Sequence, residues 1–137
     1  MILLSIVSIV LVATFLFILV FLPVRGLFGK MQAFNADRKT LLTDCREMIS
    51  HQGKYRNDWI GNPRLRGNDK ALDAEQGGID TNVPASIRAL KPRYVIIRSD
   101  RVEIGLRAPS RSQIVGFAEG ASEYGTEMLA NGLWYCK

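Results

Sequence analysis

The chain has 137 residues and a net charge of +5, and its 47 % apolar share is unevenly spread. No charged residue precedes Arg25, and outside the first 23 residues the apolar share falls to about 40 %. The remainder suffices for one small domain with a thin core and excludes a second.

The first element is Ile2 to Leu22, an apolar run broken only by Ser5, Ser8 and Thr14. At about 1.5 Å per residue it covers about 31 Å as a helix, the thickness of a hydrocarbon core. In lipid every backbone polar group must be bonded within the segment, which overrides the strand preference of its β-branched residues. Residues 1–23 are therefore predicted to be a transmembrane helix stopped by Pro23, with Gly26 and Gly29 loosening its exit. A cleaved signal peptide is the rival reading. Against it stand the missing basic flank before the run, the run's length and the absence of an A-x-A-like site before Arg25. Arg25, Lys30, Arg38 and Lys39 follow the span against a single Asp37, so the C-terminal domain is expected on the cytoplasmic side.

Residues 24–52 form a predicted juxtamembrane amphipathic helix, running from Gly29 to about His51. Phe34, Leu41, Leu42, Cys45, Met48 and Ile49 recur at three- and four-residue steps, Asn35 or Asp37 suits the cap, and Gly53 ends it. Residues 53–82 are predicted to be an irregular loop. Gly53, Gly61, Pro63, Gly67, Gly77 and Gly78 punctuate it, Trp59 and Ile60 are its candidates for docking, and a helical turn fits near Lys70–Glu75.

Residues 83–137 are predicted to be an antiparallel sheet region of the same domain. It opens with a short helix over Val83–Leu90, capped by Asn82 and ended by Lys91-Pro92. Tyr94–Ile97 reads as a strand and Ser99-Asp100 as a tight turn. Val102, Ile104 and Leu106 then alternate with Arg101, Glu103 and Arg107, giving one apolar and one wet face. A loop over Ala108–Ser112, a strand over Gln113–Ala118 and a second irregular connection over Gly120–Gly125 follow. Asn131-Gly132 between apolar runs marks a hairpin, with both turn residues expected at positive φ. The fold class is thus α+β: a transmembrane helix, then an amphipathic and a short helix packed on a meander of four or five antiparallel strands.

Val83-Pro84, Leu90-Lys91-Pro92-Arg93-Tyr94-Val95, the alternating strand and the closing Gly132-Leu133-Trp134-Tyr135 together resemble small, single-anchor bacterial membrane proteins of uncharacterised function. The resemblance covers residues 83–137, implies no activity and carries no site residue over.

Chemistry has few candidates. Cys45 and His51, the single histidine, fall on different faces of a helix and make no nucleophile–base pair. Asp44, Glu47 and His51 share a face at ligand spacing, but a wet helix face has the same pattern, and no metal site is assigned. Gly61-Asn62-Pro63-Arg64-Leu65-Arg66-Gly67 is basic and glycine-bounded but lacks the GK[ST] ending of a phosphate loop. Arg93, Arg98, Arg101, Arg107 and Arg111 invite a nucleic-acid reading, yet Tyr94 stands alone as an aromatic platform there, so a solvated face is preferred. Cys45 and Cys136 lack CxxC spacing; they would be free thiols in a reducing compartment and could close a loop of about 90 residues in an oxidising one. No catalytic, cofactor or metal residue is assigned. The expected function is a non-enzymatic, single-pass docking or accessory domain, with the bilayer as partner through residues 2–22 and anionic headgroups or a membrane protein as further partners. The alternatives are an anchored hydrolase-type enzyme using Asp58, Asp69 or Asp73 of the 52–82 loop, and an anionic-lipid-binding module.

Overall fold

The computed structural model describes the backbone of residues 2–35, 37–107, 111–120, 123–125 and 127–137, and the side chains of the same residues except 20–35. The first helix, α1, spans Ile2–Asn35. Its apolar side chains from Ile2 to Leu19 are exposed, and none of that window is buried within the protein. Thr14 donates its hydroxyl to the Val10 carbonyl at 2.7 Å, so the one Thr of the run meets its polar need inside the helix. The expected stop at Pro23 does not occur: α1 runs on for twelve residues, through Gly26 and Gly29. A proline removes one rung of the ladder at a cost of about 3 kcal/mol, and good helix formers on both sides (Leu22, Leu27, Met31, Gln32, Ala33) carry the chain past it.

The break comes later. The segment predicted as one amphipathic helix is not one: Asp37 is extended, and α2 spans Arg38–Ser50. Asp37 is its cap: extended backbone, with a carboxylate accepting from Thr40 N–H at 3.3 Å and from the Thr40 hydroxyl at 2.7 Å. These bonds hold the Asp37 carboxyl below its ordinary range. Leu41, Leu42, Cys45 and Met48 are the buried stripe of α2, as its periodicity requires.

The sheet has six strands rather than four or five. They are β1 (Lys70–Asp73), β2 (Tyr94–Ile97), β3 (Arg101–Gly105), β4 (Gln113–Phe117), β5 (Glu127–Ala130) and β6 (Leu133–Cys136). All neighbours are antiparallel, in the order β1-β2-β3-β4-β6-β5. The meander therefore holds from β1 to β4 only. The chain then crosses to the far edge, and the hairpin brings β6 back beside β4. The strand missed in the sequence is β1: Ala71 and Leu72 are buried where a helical turn was expected, and four residues are too few to show a period. The short helix α3 spans Ala85–Arg88 with Pro84, not Asn82, at its cap.

One sheet face, carrying Leu72, Val95, Ile97, Val102, Ile104, Ile114, Leu133 and Tyr135, packs under α2 and α3 and forms the core. The other face is not the wet surface that Arg101, Glu103 and Arg107 suggested. Ile96 and Val115 are fully buried on it, and Glu103 and Trp134 nearly so. Arg98 closes a short ion pair with Glu103 and a second with Asp69 at 2.8 Å, while Arg101 lies 3.8 Å from Glu103. A carboxylate between two guanidiniums can be covered because its charge is paired. The hairpin is present as expected, but among the described residues of its turn only Gly132 has positive φ, 95°. Positive φ at the second turn position alone is the type II requirement, and the register slips between Met128 and Ala130 to accommodate it. Ala108–Ser110 and Ala121–Ser122, within the two predicted loops, lie outside the described residues.

Candidate functional site

The 52–82 segment, read as irregular, contains β1, and residues 56–69 form tight turns bonded to the outer edge of that strand. Asp58 N–H donates to the Ala71 carbonyl at 2.7 Å, the Asn57 side-chain oxygen accepts from Ala71 N–H at 3.2 Å, and Asp58 accepts from Asp73 N–H at 2.8 Å. Two residues thus satisfy the open edge of the sheet. Gln52 adds bonds to the Asn68 carbonyl at 2.6 Å and the Ile97 carbonyl at 3.0 Å.

This strapping places Trp59 beside Tyr94 of β2. Trp59 Nε1 donates to Asp73 Oδ2 at 2.8 Å, and the two ring centroids lie 5.3 Å apart at 47°. Tyr94 lies flat because Gly105 opposite it on β3 has no side chain: a Cβ there would stand 2.4 Å from the ring. The Tyr94 hydroxyl accepts from Gln113 of β4. Above the rings, the Arg64 guanidinium sits 5.5 Å from the Trp59 centroid and 5.7 Å from that of Tyr94, and Arg93 lies 5.8 Å from Tyr94. Arg107 is held by its bond to the Lys91 carbonyl at 2.9 Å. Lys91 is in the left-handed region at φ 50°, the one non-glycine residue there among those described. The result is a cleft of about 620 Å³ lined by Trp59, Tyr94, Arg64, Arg93 and Arg107 together with Asp73 and Glu75.

The sequence reading left Tyr94 without an aromatic neighbour; the fold supplies one from a loop 35 residues earlier in the chain. Of the five arginines considered together, Arg93 and Arg107 reach the cleft, whereas Arg98 and Arg101 are engaged with Asp69, Glu103 and Asp100. Ile60, expected to help dock the loop, is instead 85 % exposed at the tip of the Trp59–Asn62 turn.

Each of the three acids named for an enzyme has structural partners. Asp58 pairs with Arg56 at 2.9 Å and accepts from the edge of β1, Asp69 pairs with Arg98 and accepts from Arg66 N–H at 3.0 Å, and Asp73 accepts from Trp59 and from Glu75 N–H at 2.9 Å. Burial pushes the Asp58 carboxyl up, but its bonds from Arg56 and Asp73 N–H outweigh this and hold it below the ordinary range. On α2, Asp44 accepts from Ser86 at 2.5 Å and His51 Nδ1 lies 3.1 Å from the Glu47 carbonyl, so both have structural partners. No group of three His, Cys, Asp or Glu side chains that could hold a metal is formed among the described residues.

The two thiols lie on opposite sides of the sheet. Cys45 packs beneath Gly116, where an added Cβ would stand 2.7 Å from its sulfur, while Cys136 sits at a register position whose parity sends it to the other face. Both are free. Burial pushes the Cys45 thiol up to about 12, and burial also raises that of Cys136.

No family model matches the chain, no curated protein matches it, and no solved structure matches its fold.

Proposed function

We propose that this is a single-pass membrane protein whose small basic α+β domain is a docking or accessory module held at the bilayer surface. The observation that carries the reading is the window Ile2–Leu19: it is long and apolar enough to span, and none of it is buried in the protein. A soluble protein's core helix would have its apolar face covered, and this one has no cover in the fold. A signal sequence shares that length and composition, so retention in the mature chain is the point to test. The continuation of the helix through Pro23 supports retention. The cationic residues after the span favour a cytoplasmic domain.

Docking rather than turnover is favoured because the Asp73 carboxylate in the cleft accepts from Trp59 and from the Glu75 N–H, while the cleft's guanidiniums line an accessible surface. A reaction centre needs a base or nucleophile with room to act, and a docking site needs only placed complementary charge. Affinity purification of the full-length protein from detergent-solubilised membranes tests this. The expected result is a stoichiometric partner or tightly retained lipid; a monodisperse protein with neither counts against it. A C-terminal reporter active on only one side of the membrane reads the sidedness.

A further inference from the structure

Among the described side chains, no large apolar one is more exposed than Ile60, at 85 %, not even those of Ile2–Leu19. Its turn is closed by Asn62 N–H on the Trp59 carbonyl at 3.0 Å, with Gly61 at φ 81°, and the next by Leu65 N–H on the Asn62 carbonyl at 3.0 Å. The tip is therefore a built projection. Its neighbour in the chain, Trp59, lines the cationic cleft. The ring faces of Trp59 and Tyr94 are already covered by Arg64 and Arg93. A stacked guanidinium keeps its N–H edge for an outside acceptor, and that edge matches a phosphate.

We infer that the Ile60 tip and this cleft together are a contact for anionic phospholipid: the headgroup phosphate sits against Arg64, Arg93 and Arg107, and Ile60 enters the boundary of the acyl layer. An apolar projection backed by arginines and a tryptophan is what an interfacial contact requires. A dissolved phosphate would have no use for Ile60, and a single-stranded nucleic acid would need the ring faces that the arginines occupy. Three arginines face two carboxylates in the cleft, and Asp73 already accepts two hydrogen bonds, so the balance favours an anion. The inference rests on the domain being held at a membrane, since the anchor supplies the local concentration that a shallow contact lacks.

The chain has two tryptophans, and Trp134 is buried, so Trp59 is a built-in depth reporter. Full-length protein is reconstituted into vesicles of phosphatidylcholine alone or of phosphatidylcholine with phosphatidylglycerol, each with brominated acyl chains, and tryptophan quenching is read. Carbonate resistance of the same samples reports the anchor separately. The expected result is at least twofold stronger quenching with phosphatidylglycerol, absent in Trp59→Phe. Ile60→Ser should lose most of it, and each of Arg93→Gln and Arg107→Gln should weaken the anionic-lipid dependence about fivefold. Ile60 and Arg93 are exposed, so these variants should keep the fold, which circular dichroism checks. Equal quenching in both lipids in carbonate-resistant samples overturns the inference. So does loss of quenching on adding inorganic phosphate or an oligonucleotide but not chloride of equal ionic strength. Extraction by carbonate instead overturns the anchored reading on which the inference rests.

Discussion

Gly105 fixes where the cleft's tyrosine lies. Replacing it with alanine puts a methyl into the Tyr94 ring, whose nearest atoms would be 2.4 to 2.7 Å away, and the ring must leave. Gly105→Ala should lower stability by about 1–3 kcal/mol and reduce the Trp59–Tyr94 contact, read by urea unfolding and by a shift in Trp59 emission. Asp58 gives a pH test. Its carboxyl is held low in the folded protein, so its contribution is full above the unfolded value, about 4, and is lost as pH falls through the lower folded value. Asp58→Asn should therefore cost about 1–2 kcal/mol near neutral pH, with the difference from the parent closing in strong acid. Equal pH profiles for the two proteins would contradict the ion pair with Arg56. The thiols give a third: an alkylating agent should modify Cys136 in the folded chain and reach Cys45 only on unfolding, whatever the redox compartment. None of these residue roles was legible in the sequence. A glycine that makes room for a ring two strands' width from its partner loop carries no local mark, and the parity that parts Cys45 from Cys136 exists only once β4 and β6 are in register.

At the scale of elements, the periodic pieces were legible and the strapped ones were not. The stripe of α2, the strands β2 and β3 and the final hairpin follow from spacing and turn residues that act within a few positions of themselves. β1 and the turns before it owe their form to bonds reaching fourteen and fifteen residues along the chain, from Asn57 to Ala71 and from Asp58 to Asp73. Glycine-rich, charge-alternating sequence looks the same whether such bonds exist or not. The same bonds explain why the segment 56–69 is the support of the cleft: it closes the sheet edge and delivers Trp59 in one piece. Asn57→Ala should uncap the Ala71 and Trp59 amides, cost about 1–3 kcal/mol and raise amide exchange along β1 and its loop before the rest of the sheet. Uniform loss of protection across all six strands would contradict this local role.

For the whole molecule, the division of labour is clear-cut. In the window Ile2–Leu19 no described side chain is buried within the protein, and no charge lies before Arg25; the core of the domain that follows is built from residues 41–135. Burial of apolar surface stabilises by about 25 cal/mol per Å², and the window Ile2–Leu19 gains none of this inside the fold. In the proposed reading, the cleft, the exposed Ile60 and the net charge of +5 fall on the part outside lipid. The direct measurement is the intact mass of the protein recovered from alkali-washed membranes. The account predicts a membrane-retained chain that still includes residues 2–22; a shortened chain in the soluble fraction, beginning after Pro23, would contradict it.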